Sequence, residues 1–312
     1  MKLLLTGGAG FIGSHLLERL LARGDEVSVL DDFNDFYDPA LKRRNLPKGG
    51  FRLHERDIRD AAPVVAEERP DVLVHLAARA GVRPSIRDPV LYESVNVHGT
   101  LVLLEACRRA GIGRFLFASS SSVYGDGTVP FREDDEDLRP VSPYGVSKLM
   151  GEHYVRIYAR LHGIRATCLR FFTVYGPRQR PDLAIRSFTQ ALLEGREIPM
   201  FGDGSTERDY THIDDILRGV LAALDRPEPF AVYNLGGSHP VPLRRLVELL
   251  GEYTGRTPLL RRLPEQPGDA RRTFASIEKA RANLGYEPKV PIEEGLRAFV
   301  AWIRAEAQSE GR

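Results

Sequence analysis

Cysteine and long apolar runs are both scarce in this sequence of 312 residues. Its two cysteines, Cys107 and Cys168, are too few for a disulfide framework and lack the spacing of metal ligands. We therefore expect reduced thiols in a cytoplasmic protein, and no bound metal. No stretch approaches the ~18 apolar residues that span a membrane. The apolar start at residues 3–5 is too short for a signal peptide, so we predict no membrane partner.

A large charge of either sign is missing as well. The 44 lysines and arginines are balanced by 43 aspartates and glutamates, which leaves a formal net charge of +1. This balance gives no reason to expect a nucleic acid or an anionic membrane surface as a partner. Hydrophobic residues make up 42% and charged residues 28%, which is ordinary for a globular protein with a sizeable core.

Apolar runs of strand length alternate with helical stretches through the first half of the chain. The predicted strands are 2–6, 26–30, 51–55, 71–75, 114–119 and 164–170, and the predicted helices are 12–23, 90–110 and 143–162. Several of the strands are apolar on both faces, as strands buried in a parallel sheet are. The alternation therefore predicts an α/β fold with a doubly wound parallel sheet.

The second half of the chain has a looser pattern, because prolines and glycine pairs interrupt it repeatedly. We predict a first domain over residues 1–170 and a smaller, irregular domain over residues 171–312. The apolar run at 232–235 reads as a strand, so the chain is expected to return in part to the sheet around 213–235.

Three glycines follow the first predicted strand and open the first helix. Gly7, Gly10 and Gly13 have the G-x-x-G-x-x-G spacing that lets a backbone turn tightly and approach a pyrophosphate at a helix N-terminus. The second strand ends in Asp31 and Asp32, where a carboxylate accepts the ribose hydroxyls of an adenosine and repels a 2′-phosphate. The pattern predicts a Rossmann-type dinucleotide site that prefers NAD to NADP.

The ends of two further predicted strands are expected at the same edge of the sheet. Asp57 and Ile58 follow the third strand and could hold the adenine edge. Leu76, Ala77 and Ala78 follow the fourth strand and are small enough for a backbone to pass close to a dinucleotide. We predict that all five contact the cofactor.

A tyrosine and a lysine one helical turn apart lie at the start of the third predicted helix. The spacing of four puts Tyr144 and Lys148 on one face, where an ammonium would lower the pKa of the phenol and make it a usable base. Only six residues of this chain are lysines, and Lys148 is the only one between Lys48 and Lys279. Ser120, at the end of the fifth strand, would hydrogen-bond the substrate hydroxyl.

Together these motifs resemble the extended short-chain dehydrogenase/reductase family. The similarity extends over nearly the whole chain, including R-F-F-T-V-Y-G-P at 170–177 and R-D-Y-T-H-I-D-D at 208–215. Within that family the chain is most similar to nucleotide-sugar 4-epimerases. Such enzymes hold NAD, oxidise the C4 hydroxyl of the sugar, let the keto sugar turn, and return the hydride to the other face. The resemblance thus implies an isomerase, with residues 171–312 binding the nucleotide sugar.

The residues after Ser120 help to choose among branches of the family. Sugar 4,6-dehydratases carry Asp-Glu directly after the catalytic Ser or Thr, because elimination of water needs an acid and a base. The related decarboxylases usually keep the glutamate. Here those positions are Ser121 and Ser122, which carry no carboxylate. The resemblance therefore favours an epimerase.

Two further segments, 32–39 and 172–182, resemble the UDP-glucuronate 4-epimerases. Thr173 stands where UDP-galactose epimerases generally carry asparagine, and Arg180 matches an arginine that faces the sugar carboxylate. A guanidinium suits a bidentate carboxylate. Gln179 departs from the pattern, which usually has glycine before this arginine. The expected reaction is the conversion of UDP-glucuronate to UDP-galacturonate.

The resemblance also implies a fuller set of contacts. Further cofactor contacts are expected from Phe11, Ile12, Asn96, Ser119 and Phe171, in addition to Tyr144 and Lys148. Substrate contacts are expected from Arg83, Ser120, Ser121, Ser122, Tyr144, Thr173, Arg180, Met200, Phe201, Arg208 and Arg271.

Other functions stay open on the sequence alone. A UDP-glucose/UDP-galactose 4-epimerase is the main alternative, followed by a decarboxylase, dehydratase or reductase of the same family, and by a non-enzymatic NAD-binding module. Relatives commonly pair as homodimers through the helices that are predicted here at 90–110 and 143–162. Met150, Tyr154, Ile157 and Leu161 follow a helical apolar spacing that suits either a core or such an interface.

Overall fold

The computed structural model describes residues 1–264 and 270–310. Its strands are β1 (Lys2–Thr6), β2 (Glu26–Asp31), β3 (Phe51–Glu55), β4 (Val72–His75), β5 (Arg114–Ser120), β6 (Arg165–Phe171), β7 (Thr173–Tyr175), β8 (Ile198–Phe201), β9 (Glu207–His212), β10 (Phe230–Leu235), β11 (Pro240–Pro242) and β12 (Leu260–Leu263). Its α-helices are α1 (Phe11–Ala22), α2 (Pro39–Asn45), α3 (Ala62–Glu68), α4 (Val82–Arg87), α5 (Pro89–Tyr92), α6 (Gly99–Ala110), α7 (Pro143–His162), α8 (Ala184–Leu193), α9 (Ile213–Asp225), α10 (Leu243–Thr254), α11 (Glu278–Leu284) and α12 (Ile292–Glu310). Within these residues no helix is both long and apolar enough to cross a membrane.

A seven-stranded parallel sheet in the order β10-β6-β5-β4-β1-β2-β3 forms the centre of the fold. This is the doubly wound order with β10 added at one edge, so the predicted fold class is confirmed. The strand β10 lies beside β6 and brings the second half of the chain back to the sheet. The division into two domains at residue 170 remains a prediction.

The apolar strands are buried on both faces because helices cover both sides of the sheet. In β1, Leu3 and Leu5 pack into one core cluster with residues of α1 and α9, whereas Leu4 packs into the opposite cluster with residues of α3 and α6. Successive side chains of a strand point to opposite faces, so one apolar run serves both helical layers. A third apolar cluster joins α8, α10 and α12 in the C-terminal half.

The predicted helix at 90–110 is not a regular α-helix throughout. It consists of α5, a π-helical segment (Glu93–His98) and α6. Within the π-helical segment Asn96 turns inward, where its amide contacts the backbone of Arg79 and the hydroxyl of Ser147. Apolar periodicity does not distinguish a π turn from an α turn, so the sequence could not predict this irregularity.

Glu68 is the last residue of α3 and is 1% exposed. Three basic side chains surround it. Arg52 and His54 of β3 bind its carboxylate at 2.9 and 2.6 Å, and Lys2 lies 3.6 Å away. Burial alone would raise the pKa of Glu68, but hydrogen bonds from His54, Ser28 and Arg52 outweigh it and lower the pKa to about 2. The ionised carboxylate therefore stabilises the folded chain.

We predict that Glu68 makes stability fall in acid. The pKa of Glu68 in the folded chain lies below its unfolded value of ~4.3. The stabilisation by its carboxylate is therefore complete above pH ~4.3 and is lost as the pH falls towards 2. Urea unfolding at several pH values should show a shallower acid loss for Glu68→Gln than for the wild type. The control Glu67→Gln removes an exposed carboxylate and should follow the wild type. Equal slopes for Glu68→Gln and the wild type would contradict this role.

Candidate active site

A cavity of about 880 Å³ lies at the carboxyl ends of the sheet strands, between the sheet and the C-terminal half of the chain. Nearly every residue predicted for the site lines it. The cofactor candidates on its wall are Gly7, Gly10, Phe11, Ile12, Gly13, Asp31, Asp32, Asp57, Ile58, Leu76, Ala77, Ala78, Ser119, Tyr144, Lys148 and Phe171. The substrate candidates on its wall are Arg83, Ser120, Ser121, Ser122, Thr173, Arg180, Phe201, Arg208 and Arg271.

The glycine loop is packed so tightly that side chains do not fit. A Cβ on Gly13 would lie 2.1 Å from the carbonyl oxygen of Gly7, and one on Gly7 would lie 2.7 Å from the amide nitrogen of Ala77. Gly7 also has a φ of +72°. Gly10 caps α1 without any side-chain hydrogen bond, so the helix N-terminus presents its amides towards the cavity. These features fit the pyrophosphate of a dinucleotide.

The two aspartates at the end of β2 have different tasks. Asp31 is buried, and its carboxylate accepts hydrogen bonds from the backbone amides of Ala9 and Phe33, both at 3.0 Å. It thereby fastens the glycine loop to β2. Asp32 is exposed, and its carboxylate contacts only Asn34 among the described hydrogen bonds. Asp32 is therefore the carboxylate with room to accept ribose hydroxyls.

The predicted catalytic residues meet where β5 ends and α7 begins. The helix starts sharply because the hydroxyl of Ser142 accepts a hydrogen bond from the amide of Gly145 at 3.1 Å. The hydroxyl of Ser120 lies near Tyr144 and acts to lower the pKa of its phenol, while it also contacts Ser122 at 3.1 Å. Lys148, one turn further along the helix, is 4% exposed and donates to the carbonyl oxygen of Ala118 at 2.8 Å. Its Nζ lies 6.0 Å from the centre of the Tyr144 ring.

The influences on the pKa of Tyr144 differ from the sequence-based expectation, in which Lys148 lowers that pKa. Burial raises the pKa of Tyr144, and the influences that oppose burial are the hydroxyl of Ser120 and the charge of Arg180, not Lys148. Burial also lowers the pKa of Lys148 to about 8, while the charge of Glu152 acts in the opposite direction. The arginine opposite Tyr144 thus contributes to the charge balance of the catalytic group.

A buried ion pair lies directly behind the catalytic group. Arg170 and Glu152 are each 2% exposed, and two guanidinium nitrogens of Arg170 contact the carboxylate at 2.9 and 2.8 Å. Ser119 also donates to Glu152, and Arg170 donates to Tyr124, whose hydroxyl donates to Asn234 at 2.7 Å. The network joins α7, β5, β6 and β10.

Two predicted contact residues do not reach the cavity. Asn96 is 2% exposed and lies beneath the loop after β4, where it holds the backbone of Arg79. Met200 is 4% exposed and packs into the C-terminal apolar cluster, because alternate residues of β8 point inward. Its neighbour Phe201 faces the cavity and stacks with Arg83 at 4.3 Å. Neither side chain lines the cavity, and the direct ligand contacts of Asn96 and Met200 stay predictions.

Several residues of the site were not predicted from the sequence. Phe36 and Asp182 line the cavity and contact Arg180, and Arg79 and Tyr210 also line it. A spacing signal for Glu152 did exist, since it stands four residues after Lys148 and therefore on the face that carries Tyr144 and Lys148. Of the partners of Arg180, Asp182 stands only two residues further along the chain, whereas Phe36 comes from a distant loop and leaves no local pattern.

The sheet order, the glycine loop and the Ser-Tyr-Lys group define an extended short-chain dehydrogenase/reductase that uses NAD. A model of the NAD dependent epimerase/dehydratase family matches residues 3–236, and the chain belongs to that family. The cavity fits the cofactor, since the uncapped helix N-terminus can take the pyrophosphate and Asp32 the ribose.

Individual relatives share most of this chain. UDP-glucuronate 4-epimerase 5 of Arabidopsis thaliana is 41% identical, over 97% of this chain and 75% of the relative. The UDP-glucuronic acid 4-epimerase of Bacillus cereus, solved with UDP-glucuronic acid and NAD, is 38% identical with a TM-score of 0.93, covering 98% of this chain and 100% of its own. The UDP-glucose 4-epimerase of Thermus thermophilus, solved with NAD, is 38% identical with a TM-score of 0.91, covering 97% of this chain and 99% of its own.

We predict that Gly13→Ala weakens NAD binding. The new Cβ would overlap the Gly7 carbonyl oxygen, and such overpacking costs about 1–3 kcal/mol when the backbone must shift. Calorimetry with NAD should show the loss. Gly49→Ala is the control, because its Cβ would enter open space at an ordinary φ. If Gly13→Ala bound NAD as tightly as the wild type, the glycine loop would not be part of the cofactor site.

Proposed function

We propose that the protein is an NAD-dependent 4-epimerase of UDP-sugars and that it converts UDP-glucuronate to UDP-galacturonate. One arrangement carries the proposal: Ser120 and Tyr144 share a cavity with the guanidinium of Arg180, while Ser121 and Ser122 bring no carboxylate beside them. The group can take a proton from a sugar hydroxyl and return it, but it holds no acid–base pair for elimination. The A. thaliana relative and the B. cereus neighbour bear the name of the same activity.

In this mechanism, NAD supplies a reversible hydride acceptor when it is bound. Tyr144 would accept the proton of the C4 hydroxyl when that carbon is oxidised to the 4-keto sugar. Ser120 holds the same oxygen by a hydrogen bond. Buried Lys148 provides a positive charge one helical turn from the tyrosine. Once the keto sugar has turned, reduction at its opposite face would draw the same proton back from Tyr144.

A carboxylated sugar imposes a further requirement on the site. Oxidation of glucuronate at C4 gives a β-keto acid, which loses carbon dioxide if the C5–C6 bond lines up with the carbonyl π system. A side chain that fixes the carboxylate resists this alignment. Arg180 is only 16% exposed and lies near Tyr144, so it is suited to this task.

UDP-glucose/UDP-galactose 4-epimerisation is the second candidate. The observation that favours it is that Arg180 already binds the carboxylate of Asp182 through two nitrogens, at 2.9 and 2.7 Å. A neutral sugar has no carboxylate, so it would need no further contact from Arg180. Separate incubations with UDP-glucuronate, UDP-glucose and UDP-N-acetylglucosamine decide between the candidates. We expect UDP-glucuronate to show the highest kcat/KM, and a higher value for UDP-glucose would make the second candidate the function.

Tyr144 is the first residue to test. Tyr144→Phe removes the proton acceptor but keeps the ring, so fold and NAD content should match the wild type. Turnover should fall by ~10²–10⁴, the usual contribution of a general base. Steady-state kinetics and cofactor content after purification give both values. Turnover within a few-fold of the wild type would exclude Tyr144 as the base.

Arg180→Ala should separate acidic from neutral sugars. A charged hydrogen-bonded contact contributes about 1.5–3 kcal/mol, so kcat/KM for UDP-glucuronate should fall roughly ten- to a hundred-and-fifty-fold. The kcat/KM for UDP-glucose should fall less. Its loss should come only from the higher pKa that Tyr144 acquires when the charge of Arg180 is removed. The variant should also release some decarboxylated product. Equal losses on both substrates without a pentose product would mean that Arg180 is structural.

We also propose that two copies of the chain form a homodimer in the cytoplasm. Val146, Met150, Ile157 and Leu161 are exposed along one side of α7, between 39% and 67%. Tyr154, which the sequence grouped with them, packs partly into the core instead. Such an apolar strip suits a second copy of itself. The buried free thiols of Cys107 and Cys168 are compatible with a reducing compartment.

Light scattering tests the dimer. The wild type should have twice the chain mass at micromolar concentration, and Ile157→Asp should convert it to a monomer because a charge would be buried at the interface. Leu259→Asp, at an apolar residue that is 53% exposed away from α7, serves as the control and should stay dimeric. A monomeric wild type would contradict the pairing.

A further inference from the structure

The segment from Gln179 to Asp182 holds Arg180 from two sides. We propose that Gln179 and Asp182 are positioning residues that fix Arg180 as a one-edged receptor for the sugar carboxylate, and thereby suppress decarboxylation of the keto sugar. This inference rests on the proposed function and concerns what keeps the acid intact during turnover.

Gln179 anchors the backbone before Arg180. Its side chain is 1% exposed, donates to the carbonyl oxygen of Val174 at 3.0 Å, and accepts from the amide of Arg186 at 3.2 Å. The backbone carbonyl oxygen of Gln179 accepts a hydrogen bond from the guanidinium of Arg186 at 2.7 Å. These bonds tie the segment to β7 and to the first turn of α8.

Asp182 fixes the guanidinium itself. The planar guanidinium offers two edges that can each bind a carboxylate by two hydrogen bonds. Asp182 takes the edge formed by Nε and Nη2, at 2.9 and 2.7 Å. Among the described hydrogen bonds, Nη1 makes none, so the second edge stays available within the cavity. The ring of Phe36 covers the guanidinium with its centre 5.2 Å away.

A fixed edge matters because decarboxylation depends on geometry. In the 4-keto sugar the C5–C6 bond breaks, carbon dioxide leaves, and the electron pair enters the C4 carbonyl as an enolate. A proton from water at C5 then gives the 4-keto pentose. The step is fast only when the C5–C6 bond is parallel to the carbonyl π orbitals. A carboxylate held in the plane of a rigid receptor reaches that alignment less often.

The charge of Asp182 and the rigidity that it gives to Arg180 predict changes in different quantities when Asp182 is replaced by Asn. The substitution removes a negative charge beside Arg180, so attraction alone would strengthen binding and lower KM for UDP-glucuronate. If rigidity is what matters, the substitution frees the guanidinium, and the fraction of pentose product rises whatever happens to KM. The ratio of UDP-pentose to UDP-galacturonate is therefore the measurement that identifies a positioning role.

The experiment uses the purified NAD-bound enzyme with UDP-glucuronate, and chromatography of the nucleotide sugars. We expect the pentose fraction to rise about ten-fold or more in both Asp182→Asn and Gln179→Gly, given that a loosened contact to a charged group is worth about that factor. The control Asp137→Asn removes a carboxylate from an exposed Arg139 pair with the same two-residue spacing, and should match the wild type. UDP-glucose turnover shows that each variant is folded, and Asp182→Glu should restore part of the wild-type ratio.

Two results would overturn the inference. An unchanged pentose fraction in Asp182→Asn, with normal formation of UDP-galacturonate, would refute the positioning role and leave the proposed function intact. A wild type that turns over UDP-glucose but not UDP-glucuronate would remove the proposed substrate and this inference together. Because Asp182 is 37% exposed, Asp182→Asn is expected to fold even if Gln179→Gly does not.

Discussion

The site depends on the buried ion pair between Arg170 and Glu152. Two charges with 2% exposure persist only when each is fully paired, and removal of one partner from such a pair costs about 3–5 kcal/mol. Glu152 stands on the helix that carries Lys148, Arg170 lies at the end of β6, and Ser119 joins them from β5. Each element that bears a catalytic residue is therefore fixed by one desolvated contact that tolerates little displacement.

The same network explains why the second half of the chain has to return to the sheet. Arg170 also donates to Tyr124, and Tyr124 donates to Asn234 of β10. The amide of Asn234 then binds the carbonyl oxygens of Phe131 and Ser276. The strand β10 thus connects the catalytic helix with the segments around Phe131 and Ser276. The hydrogen-bond network therefore links both halves of the chain around the buried charges.

The parts of the structure that sequence could predict are those with local patterns. Buried parallel strands, the glycine loop and the Tyr144–Lys148 spacing each arise from neighbouring residues, and all appear where expected. The burial of Asn96 and Met200 could not be predicted, because it depends on a π turn and on which face of β8 meets the core. The different tasks of Asp31 and Asp32, and the contact of Arg180 with Phe36, depend on segments that are distant in the chain.

In the proposed reaction, one bound NAD would carry the hydrogen taken from C4 and supply it again to the same carbon. The most direct test is UDP-glucuronate carrying deuterium at C4, incubated with the enzyme in ordinary water and followed by mass spectrometry and NMR. We expect the UDP-galacturonate formed to keep the deuterium at C4, because a hydride carried by bound NAD would not exchange with water. Epimerised product that has exchanged this deuterium for solvent protium would contradict the mechanism.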